Sequence, residues 1–131
     1  MTTGKIISYR DLKVWQLAIE ISVACYEATK CLPREEIYGL TSQIRRSSAS
    51  VPANIAEGYG RENRGSFVQY LRIAQGSLKE LETHLIIAGR VDLINPAVLN
   101  ELLSQCDENG RMLAALIRTV QRKKADEQIR G

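Results

Sequence analysis

The side chains best suited to chemistry lie in one segment, residues 43–64, which reads QIRRSSASVPANIAEGYGRENR. Amide, hydroxyl and charged side chains recur there at alternating spacings of four and three, the spacing with which one face of a helix meets a partner. Polar groups at such a contact fix the register of helices through networks of hydrogen bonds. We name this row the polar seam; its members are Gln43, Ser47, Ser50, Asn54, Glu57 and Arg61.

Arginine is the second informative residue type. Between Arg45 and Arg72 there are five arginines, no lysine and only two acidic residues. The planar guanidinium group suits two-point recognition of phosphate or carboxylate. We therefore expect a phosphate-contacting set on this segment; the alternative is a network of ion pairs between helices or subunits, with Glu57, Glu62 or Glu82 as partners. The predicted phosphate-contacting residues are Arg45, Arg46, Arg61 and Arg64.

The remaining polar groups of the seam favour a structural role over catalysis. Four of them are predicted to form a network that fixes register within the chain or between subunits, and Asn109 is expected to act similarly. The glycine-rich turn 58–66 either binds an anion at the following helix N-terminus or uses left-handed glycines to end a helix. The predicted network residues are Gln43, Ser50, Asn54 and Glu57.

The sequence offers little support for an enzyme. The chain has a single histidine, His84, and no cysteine lies near it in sequence, so a zinc site is not expected. No group of carboxylates resembles the site of a two-metal nuclease. We therefore expect no catalytic residue, no metal and no cofactor.

Length and composition indicate one basic, soluble domain. The 131 residues carry a net charge of +3, with a pI of about 8.9, which is compatible with an anionic partner. The three cysteines are odd in number and lack C-x-x-C spacing, which favours a reducing, cytoplasmic compartment. Residues 1–8 lack the apolar run of a signal peptide, and no apolar stretch approaches the roughly 18 residues that span a membrane.

The elements that must position these residues are helices. Apolar periodicity predicts four of them, at about 11–29, 38–58, 66–90 and 96–123, followed by a flexible tail at about 124–131. Asp11, a box of Ser66 with Gln69, and Asn95 before Pro96 are the predicted N-caps. Short connections favour antiparallel neighbours. The fold class is therefore all-α, an antiparallel up-down-up-down four-helix bundle in a single domain, 1–131.

The predicted hairpin of the second and third helices brings small residues to the same height. Ser47 is expected level with Ser77, and Ser50 level with Ala74. A glycine inside a helix costs up to about 1 kcal/mol relative to alanine, so Gly76 is interpreted as a point of close backbone approach. Pro52 is expected either to bend the second helix or to free a carbonyl for a polar partner.

Four runs of this sequence are distinctive: DLKVWQ at 11–16, YGLTSQIRRS at 38–47, SVPANIAEGYG at 50–60 and AQGSLKELET at 74–83. In these runs the chain resembles the 23S rRNA intervening-sequence protein family, and the resemblance extends from about Tyr9 to Val120. The resemblance implies a bacterial four-helix bundle that assembles into a ring-like homopentamer. The architecture also resembles the accessory protein of diversity-generating retroelements, a basic pentameric bundle that binds a reverse transcriptase and nucleic acid.

These features lead to two functional hypotheses. The first is a non-enzymatic oligomer that binds structured RNA or another polyanion through its arginines. The second is a scaffold ring that docks another protein, such as a polymerase, with the arginines held in subunit ion pairs.

Overall fold

The computed structural model describes the backbone of residues 5–130 and the side chains of residues 5–126. Within that part, four α-helices and two short 3-10 helices form the fold, and there is no strand. The predicted all-α, antiparallel four-helix bundle is confirmed. The helices are α1 (Lys13–Thr29), α2 (Leu40–Tyr59), α3 (Arg64–Arg90) and α4 (Pro96–Arg130); the 3-10 helices are Tyr9–Asp11 and Arg34–Glu36.

The core follows the apolar spacing of the sequence most closely on α3. Its alternation of four and three buries a continuous row of side chains that are at most 1% exposed. Full burial of one leucine is worth roughly 1.5–3 kcal/mol, so this row accounts for a large part of the cohesion between α3 and its neighbours. The row comprises Leu71, Ala74, Leu78, Leu81, Leu85 and Ala88.

Two of the predicted N-caps are wrong, and the third is confirmed. The Asp11 carboxylate accepts hydrogen bonds from the backbone N–H groups of Ile7 and Ser8, at 2.9 and 3.0 Å, so it completes a capping box with Ser8 at the N-terminus of the 3-10 helix instead of capping α1. These two bonds lower the pKa of Asp11. The Asn95 side chain does cap α4, accepting from the backbone N–H of Ala97 at 2.8 Å.

The N-cap of α3 lies three residues earlier than the predicted capping box places it. Asn63 is the N-cap, and its Oδ1 accepts from the backbone N–H of Ser66 at 2.9 Å. Ser66 is therefore inside the first turn and caps nothing. At the other end of the chain α4 continues to Arg130, so the predicted tail is helical as far as that residue, and Gly131 lies outside the described residues.

The α2–α3 hairpin is displaced from its predicted register. Ser50 lies opposite Ser77, with the two Oγ atoms 2.8 Å apart, instead of opposite Ala74. Close approach occurs at Gly58, where an added Cβ would lie 2.6 Å from the Cβ of Tyr70. The interpretation of Gly76 is wrong, because no atom lies within 4 Å of the position that its Cβ would take.

Candidate nucleic-acid interface

The four predicted phosphate-contacting arginines lie at two separate levels of the bundle. Arg45 and Arg46 are in the N-terminal half of α2, whereas Arg61 lies in the turn between α2 and α3 and Arg64 begins α3. A helix rises 1.5 Å per residue, so the two levels are about 24 Å apart. The four side chains therefore do not form one patch on a single chain.

Arg45 joins α1 to α2. Its Nε donates a hydrogen bond of 2.9 Å to the hydroxyl of Thr29, and its guanidinium carbon lies 4.9 Å from the centre of the Tyr26 ring. Cation–π contacts of this kind contribute about 0.5–1 kcal/mol at exposed sites. Arg45 thus has a role in the helix contact whatever else it binds.

Arg46 faces the opposite neighbour, α3. It donates to the Gln43 side chain at 2.5 Å and lies 3.5 Å from the Glu80 carboxylate. Its side chain is 60% exposed, so water screens the ion pair and its contribution to stability is small. Arg46 is accessible to an external anion, and Glu80 competes for it.

The turn arginines lie beside aromatic rings. Arg61 donates to the Tyr70 hydroxyl at 2.6 Å, its guanidinium carbon lies 5.0 Å from the centre of that ring, and the Glu57 carboxylate is 3.5 Å away. Arg64 begins α3 and lines a cavity of about 220 Å³ with Tyr59 and Phe67. Both residues therefore lie at one end of the bundle.

The left-handed backbone conformation in this turn belongs to a glutamate and not to a glycine. Gly60 has an ordinary φ of −75°, whereas Glu62 takes the left-handed conformation with φ of 56°. The prediction of left-handed glycines is therefore wrong at Gly60. A non-glycine residue in this region costs roughly 1–2 kcal/mol.

Five of the six residues of the polar seam form three groups, and the sixth, Ser47, donates a hydrogen bond to the backbone oxygen of Gln43 at 2.7 Å. Gln43 binds Arg46 and Glu57 binds Arg61, both at the surface. Between them the Asn54 amide donates to the Ser50 backbone oxygen and hydroxyl at 2.8 and 3.0 Å, and the Ser50 hydroxyl in turn meets that of Ser77 on α3. Among the described residues, only this middle group joins two helices through the predicted network residues.

Sequence reasoning missed one buried polar contact. The hydroxyls of Ser22 on α1 and Ser48 on α2 lie 3.2 Å apart inside the bundle. Serines at such positions resemble small core residues, so the only available signal was their place on the inward faces of two neighbouring helices.

Charge is distributed unequally along the bundle. The antiparallel topology brings residues 5–19, 51–76 and 112–126 to the half that contains the α2–α3 turn, and this half carries ten basic and four acidic residues, net +6. The rest of the described side chains, residues 20–50 and 77–111, carry seven basic and ten acidic residues, net −3. We call the first half the basic end.

The C-terminal part of α4 supplies further cations to the basic end. The sequence prediction had divided this region between the end of the fourth helix and a flexible tail. Lys124 lies beside the start of α3, since its Nζ would be 3.0 Å from a Cβ added at Gly65. The α4 cations of the basic end are Arg118, Arg122, Lys123 and Lys124.

Two other classes of site are absent from the described part of the chain. It contains no group of three or more His, Cys, Asp or Glu residues placed to hold a metal ion. No helix there is long and apolar enough to cross a membrane.

Fold and site together define an all-helical bundle with a polar seam on α2 and a basic end. Residues 10–115 match the family described as 23S rRNA-intervening sequence protein, and the chain belongs to that family. It is also similar to a solved structure from Bacteroides thetaiotaomicron, described as a protein with unknown function from the S23 ribosomal protein family. The two are 27% identical with a TM-score of 0.74, over 79% of this chain and 97% of that chain. No protein with a curated function matches this chain.

Proposed function

We propose that this protein is a non-enzymatic, cytoplasmic homo-oligomer that binds structured RNA through its basic end. The observation that carries the proposal is the net charge of +6 on that half of the bundle against −3 on the other. A net charge of +3 for the whole chain conceals this asymmetry. Phosphate groups dominate the affinity of proteins for nucleic acids, so a concentrated positive field is the relevant property.

Arg61 and Arg64 form the centre of the proposed contact, and the α4 cations extend it. Arg61 is held by Tyr70 and Glu57, which restricts its side chain before the ligand arrives and lowers the entropy lost on binding. Arg46 is an accessory contact on the other half, whereas Arg45 mainly supports the contact of α1 with α2. Assembly into a ring would multiply the field, with about +15 for five chains.

The test compares two charge-matched triple variants. One carries Arg64→Gln, Arg118→Gln and Arg122→Gln at the basic end; the control carries Lys30→Gln, Arg34→Gln and Arg90→Gln on the other half. Affinity for an rRNA hairpin is measured against salt concentration. The first variant should bind more weakly, and the slope of log K against log salt should become shallower by about 0.9 for each lost contact to a duplex phosphate.

The control removes the same amount of charge, but from the half of the bundle outside the basic end. It should therefore keep the wild-type slope of log K against log salt. Equal weakening by both triple variants would show that overall charge, and not the basic end, attracts the RNA. Absence of RNA retention by the wild-type protein at about 50 mM salt, where such binding is strongest, would refute the proposal.

A second candidate, a ring that docks another protein, is favoured by apolar residues at the opposite end. Tyr38 is 94% exposed, and Ile37 and Val91 are each more than half exposed. Aromatic residues are enriched at protein interfaces. If docking is the function, Ile37→Ser with Tyr38→Ser should abolish binding to a purified candidate polymerase while RNA affinity stays unchanged.

A further inference from the structure

A cavity at the basic end lies against the turn between α2 and α3, and two aromatic side chains line it. Its volume of about 220 Å³ is below the roughly 300–1,000 Å³ of sites that hold a drug-sized ligand. A single flat ring system is therefore the kind of group that it suits. The aromatic side chains are Tyr59 at the end of α2 and Phe67 near the start of α3.

The two rings are placed so that a planar group can stack between them. Their centres lie 5.9 Å apart and their planes cross at 86°, so they form two walls of a corner. A planar group in that corner lies parallel to one ring and edge-on to the other, and both arrangements are favourable for aromatic groups. Phe67 packs closely against α2, because a Cβ added at Gly58 would lie only 3.0 Å from its ring. The corner is therefore formed before any ligand enters.

Glu62 also lines the cavity, and its carboxylate has no partner in the described part of the chain. Arg61 pairs with Glu57 instead, and no ion pair or hydrogen bond of the described residues reaches the Glu62 side chain, which is exposed. The backbone of Glu62 is left-handed, with φ of 56°, a conformation that glycine adopts at lower cost. A carboxylate here also repels the phosphate groups that the basic end attracts. A ligand that donates hydrogen bonds to Glu62 accounts for both costs.

The chemistry of the carboxylate restricts which base it can bind. An ionised carboxylate only accepts hydrogen bonds, and its two oxygens can accept two at once. Unpaired bases of RNA present their Watson–Crick edges to a protein. On that edge guanine has two neighbouring donors, N1–H and N2–H, whereas adenine has one donor beside an acceptor. A carboxylate at this cavity therefore favours guanine over adenine.

We propose that the cavity holds one unpaired guanine of the bound RNA. The base stacks on Tyr59 or Phe67, and Glu62 accepts hydrogen bonds from its N1–H and N2–H groups. Arg64 lines the same cavity, which places positive charge beside the sugar–phosphate chain, where contacts position the RNA without reading its sequence. This inference rests on the proposed function and adds a sequence preference to it.

The experiment uses three RNA hairpins with the same stem and a uridine loop that carries one guanine, one inosine or one adenine. The wild-type protein should bind the guanine loop about tenfold more tightly than the adenine loop, as expected for one good bidentate contact to a base. Inosine lacks the N2 amino group, so the affinity for its loop should lie between the other two. Glu62→Gln keeps the size of the side chain but replaces an acceptor by a donor, so it should remove the preference.

Asp126→Asn is the matched control, because it also removes one exposed negative charge from the basic end. Either substitution should raise the affinity for all three hairpins, since a charge that repels phosphate is lost. Only Glu62→Gln should change the ratio of the affinities. A guanine preference that persists in Glu62→Gln, or that disappears in Asp126→Asn, would overturn the assignment of the guanine to this cavity.

Folding does not confound this comparison, because both substitutions replace an exposed side chain by one of the same size, and melting temperatures should match that of the wild type. Equal binding of the three hairpins by the wild type would overturn the guanine site and leave the proposed function standing. Failure to bind any hairpin at about 50 mM salt, where binding is strongest, would refute both.

Discussion

The side-chain amide of Asn109 donates a hydrogen bond of 3.0 Å to the backbone carbonyl of Val14, inside the apolar core. It joins the middle of α4 to the first turn of α1. Asn109 has no exposed surface, and its Oδ1 has no hydrogen-bond partner among the described residues. The chain thus retains a half-satisfied amide where apolar residues surround it, which fixes α1 against α4 at a cost in stability.

Two substitutions of Asn109 should separate the contribution of its hydrogen bond from the cost of its unpaired oxygen. Asn109→Leu removes the unpaired oxygen at similar volume, and Val14 keeps its bond within α1, so the free energy of unfolding should stay unchanged or rise by about 1 kcal/mol. Asn109→Ala should lower it by about 1–3 kcal/mol, because a cavity replaces the amide. Urea denaturation measures both. A leucine variant as destabilised as the alanine variant would mean that loss of the hydrogen bond to Val14 dominates.

The glycines of α2 and α3 should respond to alanine in opposite ways. Gly58→Ala places a Cβ 2.6 Å from that of Tyr70, and such overpacking costs about 1–3 kcal/mol. Gly76→Ala enters open space and should stabilise the fold by up to about 1 kcal/mol through helix propensity. Thermal unfolding of the two variants checks the difference. Equal shifts of the melting temperature would contradict the assigned packing of the hairpin.

Arg45 should affect stability more than RNA binding. Arg45→Met keeps most of the apolar stem but loses the hydrogen bond to Thr29 and the contact with Tyr26, so the free energy of unfolding should fall by about 1 kcal/mol. Arg61→Met at the basic end should weaken RNA binding more strongly. Denaturation and RNA affinity are measured for both variants. A larger loss of affinity for Arg45→Met would place the RNA on the α1–α2 side.

The fold could be predicted from the sequence, because the apolar residues recur clearly at helical spacing. The row from Leu71 to Ala88 predicted a buried face of α3, and the structure buries it. The N-cap of α3 was harder to predict from the sequence, because Asn63 and Ser66 are both favourable N-cap residues and lie only three residues apart. The register was also underdetermined, since a small shift at the turn exchanges Ala74 for Ser77 as the partner of Ser50.

The site was less accessible to sequence reasoning than the fold. Arg61 and its pairing with Glu57 follow from spacing along one helix. The segment that begins at Lys124 has no apolar periodicity, so the sequence does not indicate that Lys124 lies beside Gly65. The basic end exists only because the antiparallel topology brings together three distant segments, residues 5–19, 51–76 and 112–126. The open side of Gly76 becomes visible only when the positions of its neighbours are known.

The three cysteines should differ sharply in reactivity. Cys31 is exposed, whereas Cys25 and Cys106 are fully buried, and burial raises the pKa of each buried thiol from its ordinary 9.0 to about 12. The thiolate is the reactive form, so a thiol reagent at about pH 8 should label one cysteine in the folded protein and all three in denaturant. Cys31→Ser should abolish the rapid labelling, and rapid reaction of a second thiol without denaturant would contradict the described core.

The same burial predicts how stability depends on alkaline pH. Above pH 9.0 these thiols ionise in the unfolded chain but stay protonated in the folded one until about pH 12. The folded state then binds more protons, so the free energy of unfolding should fall as the pH rises through this window. Cys106→Ala should flatten that fall in urea denaturation across the window, whereas Cys31→Ser should leave it as in the wild type. An unchanged fall in the Cys106→Ala variant would assign the alkaline loss to other groups.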